Sequence, residues 1–204
     1  MNPLNTIKGT LIAGFVLAIV IALALNMGLG TVNWLTVVRW IHILAGITWI
    51  GLLYYFNFVQ TPGMAVAAAD KGGPGGAGVS KYIAPRALLW FRWSALLTWV
   101  MGFCYLAYSG NLWAFGLGLE STPANPYQLT IGIGAWLGTI MLFNVWVLIW
   151  PNQKKILGIV PASDEQKAKA RKIAGMASRT NTMLSIPMLM CMASAFHGLP
   201  LIHG

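Results

Sequence analysis

Charged side chains are scarce in this sequence: Asp, Glu, Lys and Arg make up 8% of its 204 residues, against about 25% in an ordinary soluble domain. Only four residues are acidic, and no pair of carboxylates lies in an apolar stretch, which argues against a proton-pumping path or an acid–base dyad there. The chain has no C-x-x-C-H motif for covalent haem attachment. Serine–histidine–acid catalysis and phosphate-binding glycine loops have no support either.

Cysteine is also rare. Cys104 and Cys191 both lie in apolar stretches, so they indicate neither a redox compartment nor a disulfide framework. What the chain does have is a 57% hydrophobic composition with ten Trp. Because each membrane crossing takes roughly 20 residues, the sequence predicts an integral membrane protein of four to six helices, with no room for a second domain.

Five apolar stretches predict an all-α bundle of five transmembrane helices, folded as one domain over residues 1–204. We expect spans over about residues 9–30, 34–60, 87–108, 129–150 and 183–202. The first is longer than the apolar core of a signal peptide, the alternative for this region, and favours an uncleaved helix. Thr61-Pro62-Gly63 and Pro151 are expected to stop the second and fourth spans, and Pro187 to lie in the first turn of the fifth.

Between the fourth and fifth spans, Ser163-Asp164-Glu165-Gln166 resembles a capping box. It predicts a cationic amphipathic helix over about residues 164–177 at the membrane surface. Lys and Arg concentrate in this segment and in the loop before the third span, while the intervening loops and the C-terminus carry none. The positive charge is therefore a topology signal and does not point to nucleic acid. It predicts a multi-pass protein with a cytoplasmic N-terminus and a C-terminus on the outer side, which is the periplasmic side if the membrane is the bacterial inner membrane.

Two histidines lie inside predicted spans at matching depth. His42 is about 10 Å below the outer boundary and His197 about 9 Å below it, at about 1.5 Å per residue in a hydrocarbon core of about 30 Å. An ionisable residue inside a span is a functional hypothesis by default. Two imidazoles at one depth are what the two axial positions of a b-type haem require.

Residues near His42 suit such a flat ligand. Arg39 lies one turn above it, towards the predicted outer surface, where its guanidinium matches a haem propionate. Small residues leave room on the second and fourth spans. The predicted cofactor-binding set is His42, His197, Arg39, Ala45, Gly46, Gly134 and Gly138, with His42 and His197 as the iron ligands.

Other interpretations of these residues stay open. Each histidine can bond a backbone carbonyl of a neighbouring helix, or serve another metal or a proton relay. His203 replaces His197 if the last helix is shifted by about one and a half turns. Gly134 and Gly138 form a G-x-x-x-G spacing that often means close helix packing. The sulfur-rich group Met188, Met190, Cys191 and Met192 suits Cu(I) or simply fills the core.

Four segments, taken in order, resemble the N-terminal transmembrane domain of the bacterial membrane urate hydroxylases. They are Trp40–Gly51, Ala84–Trp93, Asn144–Trp146 with Ile149–Lys155, and Ser178–Thr182 with Ser185–Pro187. Members of that family typically continue into a c-type cytochrome. Because these 204 residues contain no such module, the resemblance implies electron transfer to or from a separate partner.

The sequence thus gives two principal hypotheses. In the first, the protein holds one haem b and transfers electrons within a respiratory or oxidase assembly, with urate or quinol as substrate and a c-type cytochrome or quinone as partner. In the second, it is a haem-free accessory subunit that stabilises a larger membrane complex. The resemblance adds a third: a membrane component of urate oxidation that works with a separate cytochrome c.

Overall fold

The computed structural model describes residues 2–25, 30–119, 125–194 and 198. This part of the chain is helical and contains no strand. It forms five long helices: α1 (Ile7–Leu25), α2 (Trp34–Ala69), α3 (Val79–Tyr108), α4 (Pro126–Ile156) and α5 (Asp164–Ser194). Two short 3-10 helices lie at Pro3–Asn5 and Leu112–Gly116. The all-α prediction is therefore confirmed.

The chain divides into two compact units, residues 1–34 and residues 35–204. In the first, the side chains of Asn2 and Thr6 accept hydrogen bonds from the backbone N–H groups of Leu4 and Gly9 and so cap the helical turns that follow them. None of the residues of α1 is buried. The single domain over residues 1–204 stays a prediction.

In the described part of the chain, four helices are long and apolar enough to cross a membrane: α1, α2, α3 and α4, with mean hydropathies of 2.4, 1.5, 1.3 and 1.8. These helices indicate a membrane protein. The predicted fifth span, 183–202, runs beyond Ser194 into residues outside the described part of the chain. Five spans and their orientation stay predictions.

Prolines widen these helices and do not end them, so the predicted stops at Thr61-Pro62-Gly63 and Pro151 are wrong. Helix α2 continues to Ala69 and α4 to Ile156. In both, a six-residue π-helical segment ends two residues before the proline, at Gln60 and Ile149. Proline lacks an N–H and its ring clashes with the carbonyl four residues back, and a wider turn relieves that clash.

A π-helical segment also precedes a proline in the third helix. A π-helical turn at Val79–Ile83 precedes Pro85, so α3 begins eight residues before the predicted start at 87 and ends, as predicted, at Tyr108. The 36 residues of α2 and 31 of α4 are about 54 and 46 Å long at about 1.5 Å per residue. Both exceed a hydrocarbon core of about 30 Å, so each must tilt or extend past the bilayer.

The predicted surface helix and fifth span are one continuous helix, α5, over Asp164–Ser194. Its capping box is confirmed, since Ser163 N–H donates to Gln166 Oε1 at 2.9 Å and Gln166 N–H donates to Ser163 Oγ at 3.2 Å. The break expected between 177 and 183 is absent because no Gly or Pro occupies that stretch. Pro187 lies inside the helix and not in a first turn.

One face of α5 packs against α2 and α4 through small and polar residues. The buried residues of this face are Ala170, Ala174, Ala177, Asn181, Ser185, Met188, Cys191 and Ser194. Their spacing of three and four residues places them on one side of the helix, and small side chains let backbones approach closely. The largest buried side chains around this face are Trp49, Leu53, Phe91, Met141 and Val145.

Continuity of α5 predicts the effect of a proline at Thr180, an exposed position between the two segments once expected to be separate. Thr180→Pro removes one hydrogen bond inside the helix and should cost about 3 kcal/mol or more, whereas Thr180→Ala should be close to neutral. Thermal unfolding of the purified protein in detergent measures both. Equal stability of the two variants would show that the helix is broken near this residue.

Candidate functional site

His42 contacts α3 through a hydrogen bond across the helix interface. Its Nδ1 lies 2.7 Å from the backbone carbonyl oxygen of Thr98. Because a carbonyl only accepts, Nδ1 carries the proton and the ring is the Nδ1–H tautomer when neutral. The carbonyl therefore fixes both the tautomer and the orientation of the imidazole, and leaves Nε2 with its lone pair.

Glycine allows this close approach. A Cβ built on Gly102 would lie 2.9 Å from Cε1 and 3.0 Å from Nδ1 of His42, closer than real Cβ atoms come. One turn further along α2, a Cβ on Gly46 would lie 3.6 Å from the Thr98 methyl group, which is ordinary contact. His42 and Gly46 thus face the same turn of α3, and Gly46 serves helix packing in this arrangement.

The bond to Thr98 is compatible with metal ligation at the other nitrogen. Histidines that bind metals generally donate their second ring N–H to a carboxylate or a backbone carbonyl, which holds the ring and raises the basicity of the ligating atom. His42 meets that requirement and is half-buried. Nε2 of His42 is then the atom that would hold a haem iron, if one is bound.

Arg39 lies one turn before His42 and is exposed. In the described residues the ion pair is Lys167 with Asp164, at 3.8 Å, so no carboxylate of this part of the chain engages Arg39. The guanidinium is exposed to groups outside these residues, and its pairing with a haem propionate stays a prediction.

The predicted small-residue groove on α4 divides into two different environments. A Cβ on Gly134 would lie 3.1 Å from Cys191 Cβ and 3.1 Å from Met192 Cε, so Gly134 is a close contact with α5. Gly138, also buried, has open space where a Cβ would point. Ala45 is buried at 6% exposure. Among the three, Gly138 retains unfilled space.

The second predicted ligand, His197, and its alternative, His203, lie outside the described residues, so their pairing with His42 stays a prediction. The described residues contain no cluster of three or more His, Cys, Asp or Glu side chains. Met188 and Cys191 are buried, whereas Met190 is 39% exposed. The sulfur-rich group is therefore spread over different faces of α5.

Sequence reasoning underestimated a buried polar network on α5. Asn144 Nδ2 donates to Asn181 Oδ1 at 2.8 Å, and Asn181 Nδ2 donates to the carbonyl oxygen of Met141 at 2.9 Å. Asn144 thus bonds across the interface between α4 and α5. One turn away, Asn57 Nδ2 donates to Ser178 Oγ at 2.8 Å.

A repeated pattern identifies both asparagines on α2 and α4. Residues 49–57 and 136–144 share the form W-x-G-x-x-x-x-F-N, which ends at Asn57 in one copy and Asn144 in the other. Each asparagine lies in a π-helical segment, Tyr55–Gln60 or Asn144–Ile149, and contacts the same face of α5. This repeat was the signal in the sequence that marked Asn57.

Two indole groups are buried without a hydrogen-bond acceptor among the described residues, Trp49 Nε1 and Trp146 Nε1. Unpaired buried donors are uncommon and call for an explanation. Trp49 lies seven residues from His42, about two turns along the same face of α2. An acceptor atom of a bound group or a water molecule would satisfy its N–H.

The packing of Gly102 against His42 leads to a test. Gly102→Ala should displace the imidazole, weaken the bond to Thr98 and lower the melting temperature in detergent. Gly175→Ala on the exposed face of α5 is the matched control, because its Cβ meets no atom within 4 Å and Ala gains up to about 1 kcal/mol over Gly in a helix. A Gly102→Ala protein as stable as the Gly175→Ala protein would contradict the contact.

Comparison with known proteins found one matching family model. Searches of curated proteins and of solved structures each found no match. Residues 127–203 match the model described as urate oxidase N-terminal. The match contains the third and fourth of the resembling segments, while Trp40–Gly51 and Ala84–Trp93 precede it. Over residues 127–203 the chain is thus consistent with a urate oxidase N-terminal-type domain, as the sequence motifs predict.

Proposed function

We propose that this protein is a multi-pass protein of the bacterial inner membrane that holds one b-type haem between His42 and His197 and transfers electrons within a respiratory or oxidase assembly. The observation that carries the proposal is the 2.7 Å contact between His42 Nδ1 and the Thr98 carbonyl oxygen. That contact leaves Nε2 as a fixed lone-pair donor inside a membrane helix, where an ionisable residue needs a reason to be present.

The protein's own residues have separate tasks in this proposal. Bound haem supplies a one-electron redox centre. The Thr98 carbonyl orients His42, and Gly102 gives the ring the space for that orientation. Arg39, exposed on the same helix, pairs with a propionate carboxylate. The open space beside Gly138 and the small side chain of Ala45 leave room along the macrocycle.

A second candidate is a haem-free accessory subunit of a larger membrane complex. The same bond favours it, because a histidine that donates to a backbone carbonyl of the next helix already has a structural role. Gly46 and Gly134 also lie in helix contacts. In this interpretation His42 is one of several polar groups that hold α2, α3, α4 and α5 in register.

The family match supports a more specific version of the first candidate. A urate oxidase N-terminal-type domain over residues 127–203 favours a membrane component of urate oxidation, with urate rather than quinol as the electron source. Its partners are then the lipid bilayer, other membrane subunits, and a separate c-type cytochrome or quinone that accepts the electrons.

Two substitutions at His42 separate the candidates. His42→Asn keeps an amide N–H at the position of Nδ1 and can still donate to Thr98, but it has no lone-pair nitrogen at the position of Nε2. His42→Ala removes both. If haem is bound, both variants should lose it, and only His42→Ala should also lose about 1–3 kcal/mol through the unpaired structural contact. Absorption spectra and thermal unfolding of the same samples measure the two effects.

This experiment needs a reference and a test of the second ligand. Wild-type protein with a full haem complement sets the reference, and His197→Ala tests the second ligand. Retention of haem by His42→Asn would eliminate His42 as a ligand. If wild-type protein contains no haem while His42→Ala is less stable than His42→Asn, the accessory-subunit candidate is favoured.

Urate as substrate has its own test. Membranes that contain this chain should reduce added oxidised cytochrome c when urate is supplied without oxygen, and membranes with His42→Asn should not. The rate is followed by the absorbance of reduced cytochrome c. Equal rates in membranes with and without the chain would rule out a part for it in urate oxidation, and would leave the haem proposal to the spectrum.

A further inference from the structure

A groove on the outside of α3 combines one cation with aromatic and apolar walls. Its volume is about 470 Å³, and it is lined by Tyr82, Ile83, Arg86, Ala87 and Trp90. These residues recur at intervals of about four, so they form a stripe along the first turns of one helix. Arg86 is exposed, and the side chains of Tyr82 and Trp90 are 65% and 57% exposed.

The cation in this groove has no protein counterion among the described residues. The ion pair there is Lys167 with Asp164. Lys81, the nearest other cation along the chain, has its Nζ 5.3 Å from the centre of the Tyr82 ring. The charged side chains that the structure places at the groove, Arg86 in its lining and Lys81 against Tyr82, are therefore both positive, in a chain of formal net charge +9. Its complement is an anion.

Exposed apolar side chains continue along α3 after the groove, and they indicate what kind of anion fits. Trp93 and Leu97 follow Trp90 on α3 at intervals of three and four residues, and they are 53% and 42% exposed. Exposed apolar side chains along a helix that is apolar enough to cross a membrane face lipid tails. A soluble acidic peptide would leave this stripe uncovered, whereas an acyl chain covers it.

The position of the groove along α3 also suits a lipid headgroup. It occupies the first 12 of 30 residues, and about 20 residues span the hydrocarbon core, so the groove falls at the boundary. Trp and Tyr concentrate at that depth. A guanidinium presents a planar fork that matches the oxygens of a phosphate.

We propose that this groove is a binding site for an anionic phospholipid, with Arg86 on the phosphate, Tyr82 beside the headgroup on the side away from the hydrocarbon core, Trp90 at the glycerol level and an acyl chain along Trp93 and Leu97. The site lies on α3 towards the end opposite to Gly102, and the proposal does not depend on haem or urate. It assigns a regulatory or stabilising lipid to this protein.

The test measures binding of two lipids to the purified full-length chain by native mass spectrometry: phosphatidylglycerol, which is anionic, and phosphatidylcholine, which has no net charge. Wild-type protein should retain phosphatidylglycerol preferentially. Arg86→Gln should lower its affinity about tenfold, the loss expected for a charge-assisted hydrogen bond. Arg171→Gln, which removes an exposed charge from α5, should leave the affinity unchanged.

A second variant keeps Arg86 in place. Tyr82→Glu puts a carboxylate four residues before Arg86, where it can pair with the guanidinium, and should lower phosphatidylglycerol affinity to a similar extent. Equal losses in Arg86→Gln and Arg171→Gln would overturn the site in favour of general charge attraction. Equal binding of the two lipids by wild-type protein would overturn it, as would a stable dimer that Arg86→Gln dissociates, since the groove would then hold a protein.

Discussion

Polar groups inside a membrane bundle have no water to bond with, and this constraint accounts for most of the arrangement of α2, α3, α4 and α5. Most interior polar side chains among the described residues have a partner on another helix or on their own backbone, with the buried indole N–H groups of Trp49 and Trp146 and the Gln60 Oε1 atom as the exceptions. His42 reaches the Thr98 carbonyl, and Asn144 reaches Asn181. Such bonds are worth about 0.6–2 kcal/mol each in a membrane, so their main effect is to fix which faces meet.

Helix α5 shows the effect of that constraint best. Ser178, Asn181 and Ser185 lie on one face and accept or donate bonds with Asn57, Asn144 and Tyr54. A shift of α5 by one turn would separate all three pairs at once. Hydrogen bonds therefore set the register of α5 against α2 and α4. Alanine and glycine at the contacts allow the helix backbones to pack at a short distance. These three hydrogen-bonded pairs give the polar network a structural role, which is to hold α5 against α2 and α4.

Hydropathy was sufficient to locate the helices and insufficient to place their ends. The length of the apolar stretches predicted where α1 to α4 run, because burial in lipid selects long apolar stretches. The helix ends predicted at Pro62 and Pro151 were wrong because a π-helical segment precedes each proline and lets the helix continue through it. The gap expected before 183 was inferred from polarity alone. Ser178 and Asn181 in this stretch in fact bond to α2 and α4, and Asn181 is fully buried.

The candidate site was predictable in part for the same reasons. An isolated histidine in an apolar helix is visible in sequence, and so is the arginine one turn away. The partner of His42 was not, because a backbone carbonyl carries no sequence signature and Gly102 is one of 23 glycines. The hydrogen bond to Thr98 satisfies a structural histidine and a ligating one equally well. The central question is therefore whether Nε2 of His42 binds a haem iron.

One spectrum answers that question most directly. Protein purified from a bacterial membrane should give a reduced-minus-oxidised difference spectrum with b-type bands, at a stoichiometry of about one haem per chain from the two axial positions proposed. A spectrum without those bands at full protein loading, from cells that supply haem, would contradict the account and leave His42 as a structural residue that holds α2 against α3.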